Sequence, residues 1–175
     1  MSGKRALIIG CGVSGPVLAT YLKKIGIEPV VYERRSELSS AGGGSFNLAP
    51  NGIDVLRTLG LDEDMRAVGH PTNQIAFHNH KGKQLGRNPE SMTLLNRGKL
   101  QQVLVRGAER ASVTIEFDKK LTEVHDEPGT VGVSFSDGTS AEGDLLIGCD
   151  GLRSRVREMA GLKAEFAPME EGKIE

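Results

Sequence analysis

The sequence predicts an α/β fold, in which a Rossmann-type parallel sheet with a G-x-G-x-x-G βαβ unit carries an inserted antiparallel β meander. Three observations support this fold class. The first apolar run is followed by three glycines in the G-x-G-x-x-G spacing. Apolar runs without alternation, typical of parallel strands buried on both faces, recur near residues 6–9, 29–32 and 145–149. Residues 131–135 alternate apolar and polar side chains, which indicates an antiparallel strand with one face in water.

Each glycine of the motif has a physical role in the βαβ unit. Gly10 permits a tight turn out of the first strand, Gly12 lets the backbone approach a pyrophosphate, and Gly15 lets the next helix pack close to the sheet. That helix, predicted from about Val13 to Lys24, directs its first N–H groups and the positive end of its dipole toward a bound phosphate. The alternative is a glycine-rich turn without a ligand.

Glu33 follows the second strand, roughly 20 residues after the glycines, where the dinucleotide fingerprint expects an acid. Its carboxylate can accept hydrogen bonds from both hydroxyls of an adenosine ribose, and its charge would repel a 2′-phosphate. FAD or NAD is therefore favoured over NADP. Because Glu33 lies at the end of a strand rather than in the core, we expect its replacement by Gln to change the stability of the apo chain by no more than about 0.5 kcal/mol.

The other elements are predicted from periodicity and turn residues. A small-residue loop with three consecutive glycines, at 39–45, either passes close to another group or is flexible. Next come a helix at 51–60, a helical turn at 62–68, a hairpin at 74–86, an extended segment at 92–95 and a helix from about 96 to 111 with Leu100, Val103, Leu104 and Ala108 buried. A parallel strand at 113–117, meander strands near 120–124, 131–135 and 141–142, and a helix at 154–159 complete the prediction.

Length and composition exclude several classes of protein. With 175 residues we expect one Rossmann-type domain at 1–160 and a loosely ordered tail at 161–175. The formal net charge of −1, without long Lys/Arg clusters, predicts no nucleic-acid partner. No apolar run approaches the ~20 residues of a membrane span. No signal-peptide pattern is visible, so we expect no membrane association and a cytoplasmic location.

The cysteines and histidines each allow two interpretations. Cys11 and Cys149 are interpreted as small core residues, with a redox role as the alternative. His70, His78 and His80 lie near the predicted hairpin, and His-Asn-His spacing would place two of them on one face. Because no carboxylate or cysteine at a useful spacing completes a metal site, we interpret all three as solvent-facing hairpin residues.

Four motifs then occur in order: Gly-Cys-Gly-Val-Ser-Gly at 10–15, Tyr-Glu-Arg-Arg at 32–35, Leu-Asn-Arg-Gly-Lys-Leu at 95–100 and Asp-Gly-Leu-Arg-Ser-Arg-Val-Arg at 150–157. Together they resemble the single-component FAD-dependent aromatic hydroxylases, which are p-hydroxybenzoate hydroxylase-like flavoprotein monooxygenases. The stretch at 43–49 is similar to the branches with kynurenine 3-monooxygenase and the tetracycline-modifying monooxygenases. The resemblance covers roughly residues 5–160 and corresponds to the N-terminal portion of such enzymes.

The resemblance implies a cofactor role for each matching residue. It assigns Gly10, Gly12, Val13, Ser14 and Gly15 to the FAD pyrophosphate, Glu33 and Arg34 to the adenosine, Arg97 to the phosphate and ribityl region, Asn47 through Ala49 to the path toward the flavin ring, and Asp150 to the cofactor region and to pyridine nucleotide use. Without the resemblance, Asp150 is equally well interpreted as a helix N-terminal acid that complements a dipole. Arg97 would be interpreted as a surface arginine.

The implied function is that of an FAD-binding portion of a flavin monooxygenase that hydroxylates an aromatic or polyketide-like small molecule with NAD(P)H and O₂. The alternative is a non-catalytic FAD- or dinucleotide-binding module that needs a partner chain. No Gly-Asp motif like that of the family follows, so we expect a C-terminal half or a second chain to complete the active site. Since the flavin carries this chemistry, we name no catalytic residue and no metal site. Ser14 has no G-x-S-x-G elbow, which argues against a serine hydrolase.

Overall fold

The computed structural model describes residues 3–38 and 44–162. Most of the glycine-containing loop at 39–45 and of the predicted tail at 161–175 lies outside the described residues. Within them the strands are β1 (Arg5–Ile9), β2 (Glu28–Tyr32), β3 (Ser45–Leu48), β4 (His70–Thr72), β5 (Ile75–His78), β6 (Gln84–Asn88), β7 (Met92–Asn96), β8 (Thr114–Glu116), β9 (Leu121–Glu127), β10 (Thr130–Phe135), β11 (Ser140–Gly143) and β12 (Leu145–Gly148). The helices there are α1 (Ser14–Lys24), α2 (Pro50–Thr58), α3 (Asp62–Val68), α4 (Arg97–Arg110) and α5 (Arg155–Met159).

A parallel sheet in the order β12-β1-β2-β8 forms the centre of the fold. Ile8 of β1 lies opposite Val31 of β2 and Ile147 of β12. Residues 6–8 of β1 are completely buried. Because both faces of the sheet are covered, every position of this strand favours an apolar side chain, which explains why the sequence does not alternate there. The predicted α/β fold with its four parallel strands is confirmed.

This sheet is the middle of three layers. On one face, Leu7 and Tyr32 pack against Val133 and Phe135 of the meander β9-β10-β11. The ring centroids of Tyr32 and Phe135 lie 4.7 Å apart. On the other face, Ile8 packs with side chains of α1 and α4. Successive residues of one strand thus belong to different layers, as the period of two requires, and the predicted inserted meander is confirmed.

A second, three-stranded antiparallel sheet in the order β3-β7-β4 was not apparent from the sequence pattern. Its central strand β7 pairs with both neighbours. His70 lies in β4 opposite Leu94, so its assignment to the β5-β6 hairpin was wrong, although His70, His78 and His80 are all exposed. With three residues that include Pro71, β4 is too short to show a period, and the proline suits an edge position.

The helices begin and end with recognisable signals. Pro50 occupies the first turn of α2, one residue earlier than predicted, and Gly60 with φ +74° follows its end. Asn96 caps α4, because its side chain accepts hydrogen bonds from the amides of Gly98 and Lys99. The predicted buried stripe of this helix is confirmed by Leu100, Val103, Leu104 and Ala108.

Gly15 and Gly12 offer a matched test of the turn between β1 and α1. A Cβ atom at Gly15 would lie 2.0 Å from the carbonyl oxygen of Gly10, whereas at Gly12 it would meet no described atom within 4 Å. We therefore expect Gly15→Ala to lower the free energy of unfolding by about 1–3 kcal/mol, since the backbone must move. Gly12→Ala should change it by no more than about 0.5 kcal/mol. Urea unfolding followed by circular dichroism measures both values, and equal stabilities would contradict the close packing of α1 on the turn.

Candidate functional site

A cleft of 620 Å³ lies at the C-terminal ends of β1, β2 and β12. This is the edge at which open parallel sheets bind their ligands. Its described lining comprises Ile9, Gly10, Gly12 and Val13 of the first turn, Tyr32, Glu33, Arg34 and Arg35 at the end of β2, Arg97 and Gln101 of α4, Lys119 and Leu121 near the meander, and Cys149, Asp150, Gly151, Arg153 and Arg155 after β12. Seven of the predicted residues are therefore brought together in one cleft: Gly10, Gly12, Val13, Glu33, Arg34, Arg97 and Asp150.

The glycine turn is closed on its sheet side and open on its cleft side. Gly10 has φ +107°, and a Cβ atom there would lie 2.5 Å from the carbonyl oxygen of Cys149. Its amide donates to the Tyr32 carbonyl at 2.8 Å, which joins the turn to β2. Over Gly12, by contrast, a Cβ atom would meet no atom of the described chain within 4 Å. A ligand can therefore approach the backbone closely at Gly12.

Glu33 stands at the end of β2 as predicted, but it is only 8% exposed. Its Oε2 accepts a hydrogen bond from the Cys11 amide at 2.9 Å, and its Oε1 accepts one from the Arg35 amide at 3.1 Å. The carboxylate thus joins the glycine turn to the chain that leaves β2. The expectation that this side chain lies outside the core is wrong. A Gln in its place has one acceptor oxygen, so one of the two backbone N–H groups would lose its partner.

Helix α4 contributes Arg97 and Gln101 to the cleft. The Asn96 cap begins the helix at this edge, so Arg97 is exposed in the first turn. Gln101 lies one turn further along, and its Nε2 donates to the Cys11 carbonyl oxygen at 2.5 Å. Gln101 was missed in the sequence. The signal that identifies it is its i+4 spacing from Arg97, which places both side chains on one face of the helix.

Asp150 lines the cleft and binds the N-terminal end of α5, whose N-cap is Ser154. Its Oδ2 accepts hydrogen bonds from the amides of Arg155 at 2.6 Å and Val156 at 3.2 Å, and its Oδ1 accepts from the Ser154 hydroxyl at 2.5 Å. These bonds show the structural role of a helix N-terminal acid. The same residue borders the cleft, which is also where a cofactor role requires it.

Four predicted residues are not among the described residues that line the cleft. Gly15 is buried where α1 packs against the turn, and Ser14 is exposed at the start of α1. Asn47 is exposed on β3, and Ala49 is the N-cap of α2. The structure therefore assembles the residues predicted for adenosine and pyrophosphate in one place, while Asn47 and Ala49 belong to a different sheet and its connection.

Cationic side chains outnumber carboxylates around the cleft. The cations are Arg34, Arg35, Arg97, Lys119, Arg153 and Arg155, against Glu33 and Asp150. Lys119 lies 2.7 Å from Asp137, and this hydrogen bond lowers the pKa of the Asp137 carboxyl to about 2. Arg155 lies 2.9 Å from Glu158. The positive balance of the lining favours an anionic ligand.

Both cysteines lie beside the glycine turn. Cys11 is completely buried and Cys149 is half-buried. Burial, together with the negative charge of Glu33, raises the pKa of the Cys11 thiol to about 12, and burial also raises the pKa of Cys149. Since the thiolate is the reactive form, these shifts favour the interpretation as core residues over a redox role.

We expect Cys11 to resist alkylation in the folded chain. At pH 8, a pKa of about 12 in place of the ordinary 9 leaves roughly a thousandfold less thiolate. Treatment with iodoacetamide, followed by digestion and mass spectrometry, measures the extent of reaction at each cysteine. The same chain unfolded in urea is the control, and equal rates at Cys11 in the two samples would contradict its burial.

Within 3–38 and 44–162, no group of three or more His, Cys, Asp or Glu side chains is placed to hold a metal ion. No helix in that part of the chain combines the length and the apolar character needed to cross a membrane.

Comparison with curated proteins finds relatives among flavin enzymes. The flavin-dependent monooxygenase eupH of Phoma sp is 34% identical, covering 91% of this chain and 40% of the relative. The FAD-dependent urate hydroxylase of Klebsiella pneumoniae is 31% identical, covering 87% of this chain and 42% of the relative. The 6-hydroxynicotinate 3-monooxygenase of Bordetella bronchiseptica is 30% identical, with 90% and 44% covered. The chain thus spans about two fifths of the length of the curated relatives it matches.

Solved structures give the same result. Klebsiella pneumoniae HpxO complexed with FAD and uric acid has a TM-score of 0.78 and 29% identity, covering 90% of this chain and 42% of that chain. The tetracycline destructase Tet(51) has a TM-score of 0.71 and 26% identity, with 89% and 41% covered. The family model described as "FAD binding domain" matches residues 4–173. With its parallel sheet, glycine turn and anion-favouring cleft, the chain belongs to the FAD binding domain family.

Proposed function

We propose that the cleft holds the adenosine and pyrophosphate of FAD and that the chain is the FAD-binding portion of a flavin-dependent monooxygenase. The observation that carries the proposal is the Glu33 carboxylate, which ends β2 directly beside the glycine turn. Membership of the FAD binding domain family supports the same cofactor.

The residues of the cleft fit this cofactor in three respects. The open space over Gly12 allows a pyrophosphate to approach the backbone. Each carboxylate oxygen of Glu33 accepts one amide hydrogen bond and has a second acceptor position for a ribose hydroxyl. The cationic lining complements the two phosphate charges. A 2′-phosphate would instead meet the Glu33 carboxylate at close range, which disfavours NADP in this cleft.

Each predicted residue has a place in the proposal. The pyrophosphate turn would consist of Gly10, Gly12, Val13, Ser14 and Gly15. Glu33 and Arg34 would hold the adenosine, and Arg97 would reach the phosphate and ribityl region. Asp150 would anchor the cofactor region, and Asn47 and Ala49 would lead toward the flavin ring. The planar guanidinium of Arg97 suits a phosphate better than an ammonium does, because it can donate two parallel hydrogen bonds. The domain would extend over residues 1–160, with 161–175 as a loosely ordered tail.

The residues of this chain bind and orient the cofactor. When bound, FAD supplies the electron- and oxygen-transfer chemistry of hydroxylation, with NADH or NADPH as the reductant and O₂ as the oxygen source. No acid, base or nucleophile of the chain is needed for that chemistry, so none is assigned. A cytoplasmic location, where NAD(P)H is available, fits this proposal.

The proposed substrate is an aromatic or polyketide-like small molecule. The names of similar proteins support this class, since they act on urate, on 6-hydroxynicotinate and on 3-amino-4-hydroxybenzoate. A tetracycline destructase is among the similar structures. A C-terminal half of the same protein, or a second chain, would supply the rest of the substrate site.

The alternative function is a non-catalytic FAD- or dinucleotide-binding module that needs a partner chain to complete the active site. Both alternatives predict that the purified chain shows the visible absorbance of bound flavin. Oxidation of NADH or NADPH in the presence of a panel of aromatic substrates separates the two. Turnover by the chain would contradict the module, whereas absence of any flavin binding at saturating FAD would contradict both.

We expect Glu33→Gln to weaken FAD binding by about ten- to a hundredfold, because charge-assisted hydrogen bonds to the ribose are lost. In the apo chain the same substitution should lower the free energy of unfolding by about 1–3 kcal/mol, since one backbone N–H loses its acceptor. Quenching of flavin fluorescence gives the affinity, and urea unfolding without FAD gives the stability.

Glu37→Gln is the matched control for Glu33→Gln, because Glu37 is exposed and lies outside the described cleft lining. It removes the same charge from the same segment. We expect its FAD affinity to stay within about twofold of the wild-type value and its free energy of unfolding to change by no more than about 0.5 kcal/mol. An unchanged FAD affinity in folded Glu33→Gln would remove Glu33 from the proposed ribose site.

A further inference from the structure

The backbone of Cys11 lies beyond the hydrogen-bond ladder of the parallel sheet. Pairing of β1 with β12 ends at Ile9 and Gly148, and the Gly10 amide makes the next bond, to the Tyr32 carbonyl. Cys11 itself is completely buried. A buried carbonyl or N–H group that has left the ladder requires another partner, because an unpaired one costs about 1–3 kcal/mol.

Side chains from two other elements provide these partners. The Cys11 N–H donates to Glu33 at the end of β2, and the Cys11 carbonyl accepts from the Gln101 amide of α4. Gln101 also lines the cleft, one helical turn beyond Arg97. The residue between the first two glycines of the motif is therefore held from both sides by polar side chains.

The bond from Gln101 controls a whole peptide group. The carbonyl of Cys11 and the N–H of Gly12 belong to one planar trans peptide, so they point in opposite directions. Gly12 has no side chain to restrict its dihedral angles, so this peptide could otherwise turn over at little cost. With the carbonyl held at 2.5 Å by Gln101, the N–H of Gly12 is directed away from α4.

We propose that Gln101 is a positioning residue for the pyrophosphate turn. Its amide fixes the orientation of the peptide between Cys11 and Gly12, so that the Gly12 N–H is in place before the ligand arrives. This inference rests on the proposed function, because a pyrophosphate is the ligand of the turn. Glu33 holds the other side of Cys11 and accepts a second bond, from the Arg35 amide, that does not involve Gln101.

The experiment compares Q101M and Q101E with the control Q102M in the full 175-residue chain. Q101M keeps the length of the side chain without its donor, and Q101E keeps the shape but presents an acceptor to the Cys11 carbonyl. Gln102 is the neighbouring glutamine on the same helix, it is equally half-buried, and it is outside the described cleft lining. Dissociation constants are measured for FAD, ADP-ribose and adenosine, the last two by competition with FAD.

We expect Q101M to weaken FAD and ADP-ribose by about five- to tenfold, and adenosine by less than about twofold, because only the first two carry a pyrophosphate. Q101E should weaken both pyrophosphate ligands more than Q101M does. Amide hydrogen exchange at Gly12 and Val13 of the apo variants should be about tenfold faster than in the wild-type chain, while exchange in β1 is unchanged. Q102M should match the wild-type chain in every measurement.

Three outcomes would overturn the inference. Q101M and Q102M could bind all ligands alike, or Q101M could lose adenosine and ADP-ribose equally, which would indicate general loss of structure. Alternatively, exchange at Gly12 could be unaffected in both Gln101 variants. If the wild-type chain binds none of the three ligands, the proposed function fails, and the exchange measurement still decides whether Gln101 holds the turn, since it needs no ligand.

Discussion

The cleft depends on one buried stretch of backbone that has left its sheet without entering a helix. At Cys11 neither the N–H nor the carbonyl can pair within the ladder, and both are bound by side chains, Glu33 from β2 and Gln101 from α4. The same turn is closely packed on two sides. A methyl group does not fit at Gly10, which contacts the Cys149 carbonyl after β12, or at Gly15 of α1, which contacts the Gly10 carbonyl. The sheet, the helix layer and the cleft are thus joined at a single residue.

Much of the fold follows from local pattern. The strands β1, β2 and β12 are continuous apolar runs because both faces of the sheet are covered, and β10 alternates because the meander has one exposed face. The helix α4 shows its buried stripe at the expected spacing. The positions of Gly12, Glu33, Arg97 and Asp150 at one cleft also follow, since the carboxyl ends of parallel strands share an edge.

The features that the pattern did not show depend on contacts between distant segments. The strands β3 and β4 are four and three residues long, and both exist because β7 lies between them. Burial of the Glu33 carboxylate reflects the amides of Cys11 and Arg35, neither of which a side-chain pattern reveals. Gln101 reaches the turn only because α4 packs beside α1 on the sheet.

The strand β1 pairs with β12 across most of the chain, with Ala6 opposite Leu145. The glycine turn packs on the carbonyl of Cys149 and so lacks one wall until that residue has been synthesised. Cys149 follows Gly10 by 139 residues, so at roughly 5–20 residues per second it is added about 7–28 seconds later. Native contacts between such distant segments also form slowly because of the entropy of closing the loop between them. Although the fingerprint is complete within the first 33 residues, the cleft that it borders is therefore completed late in synthesis.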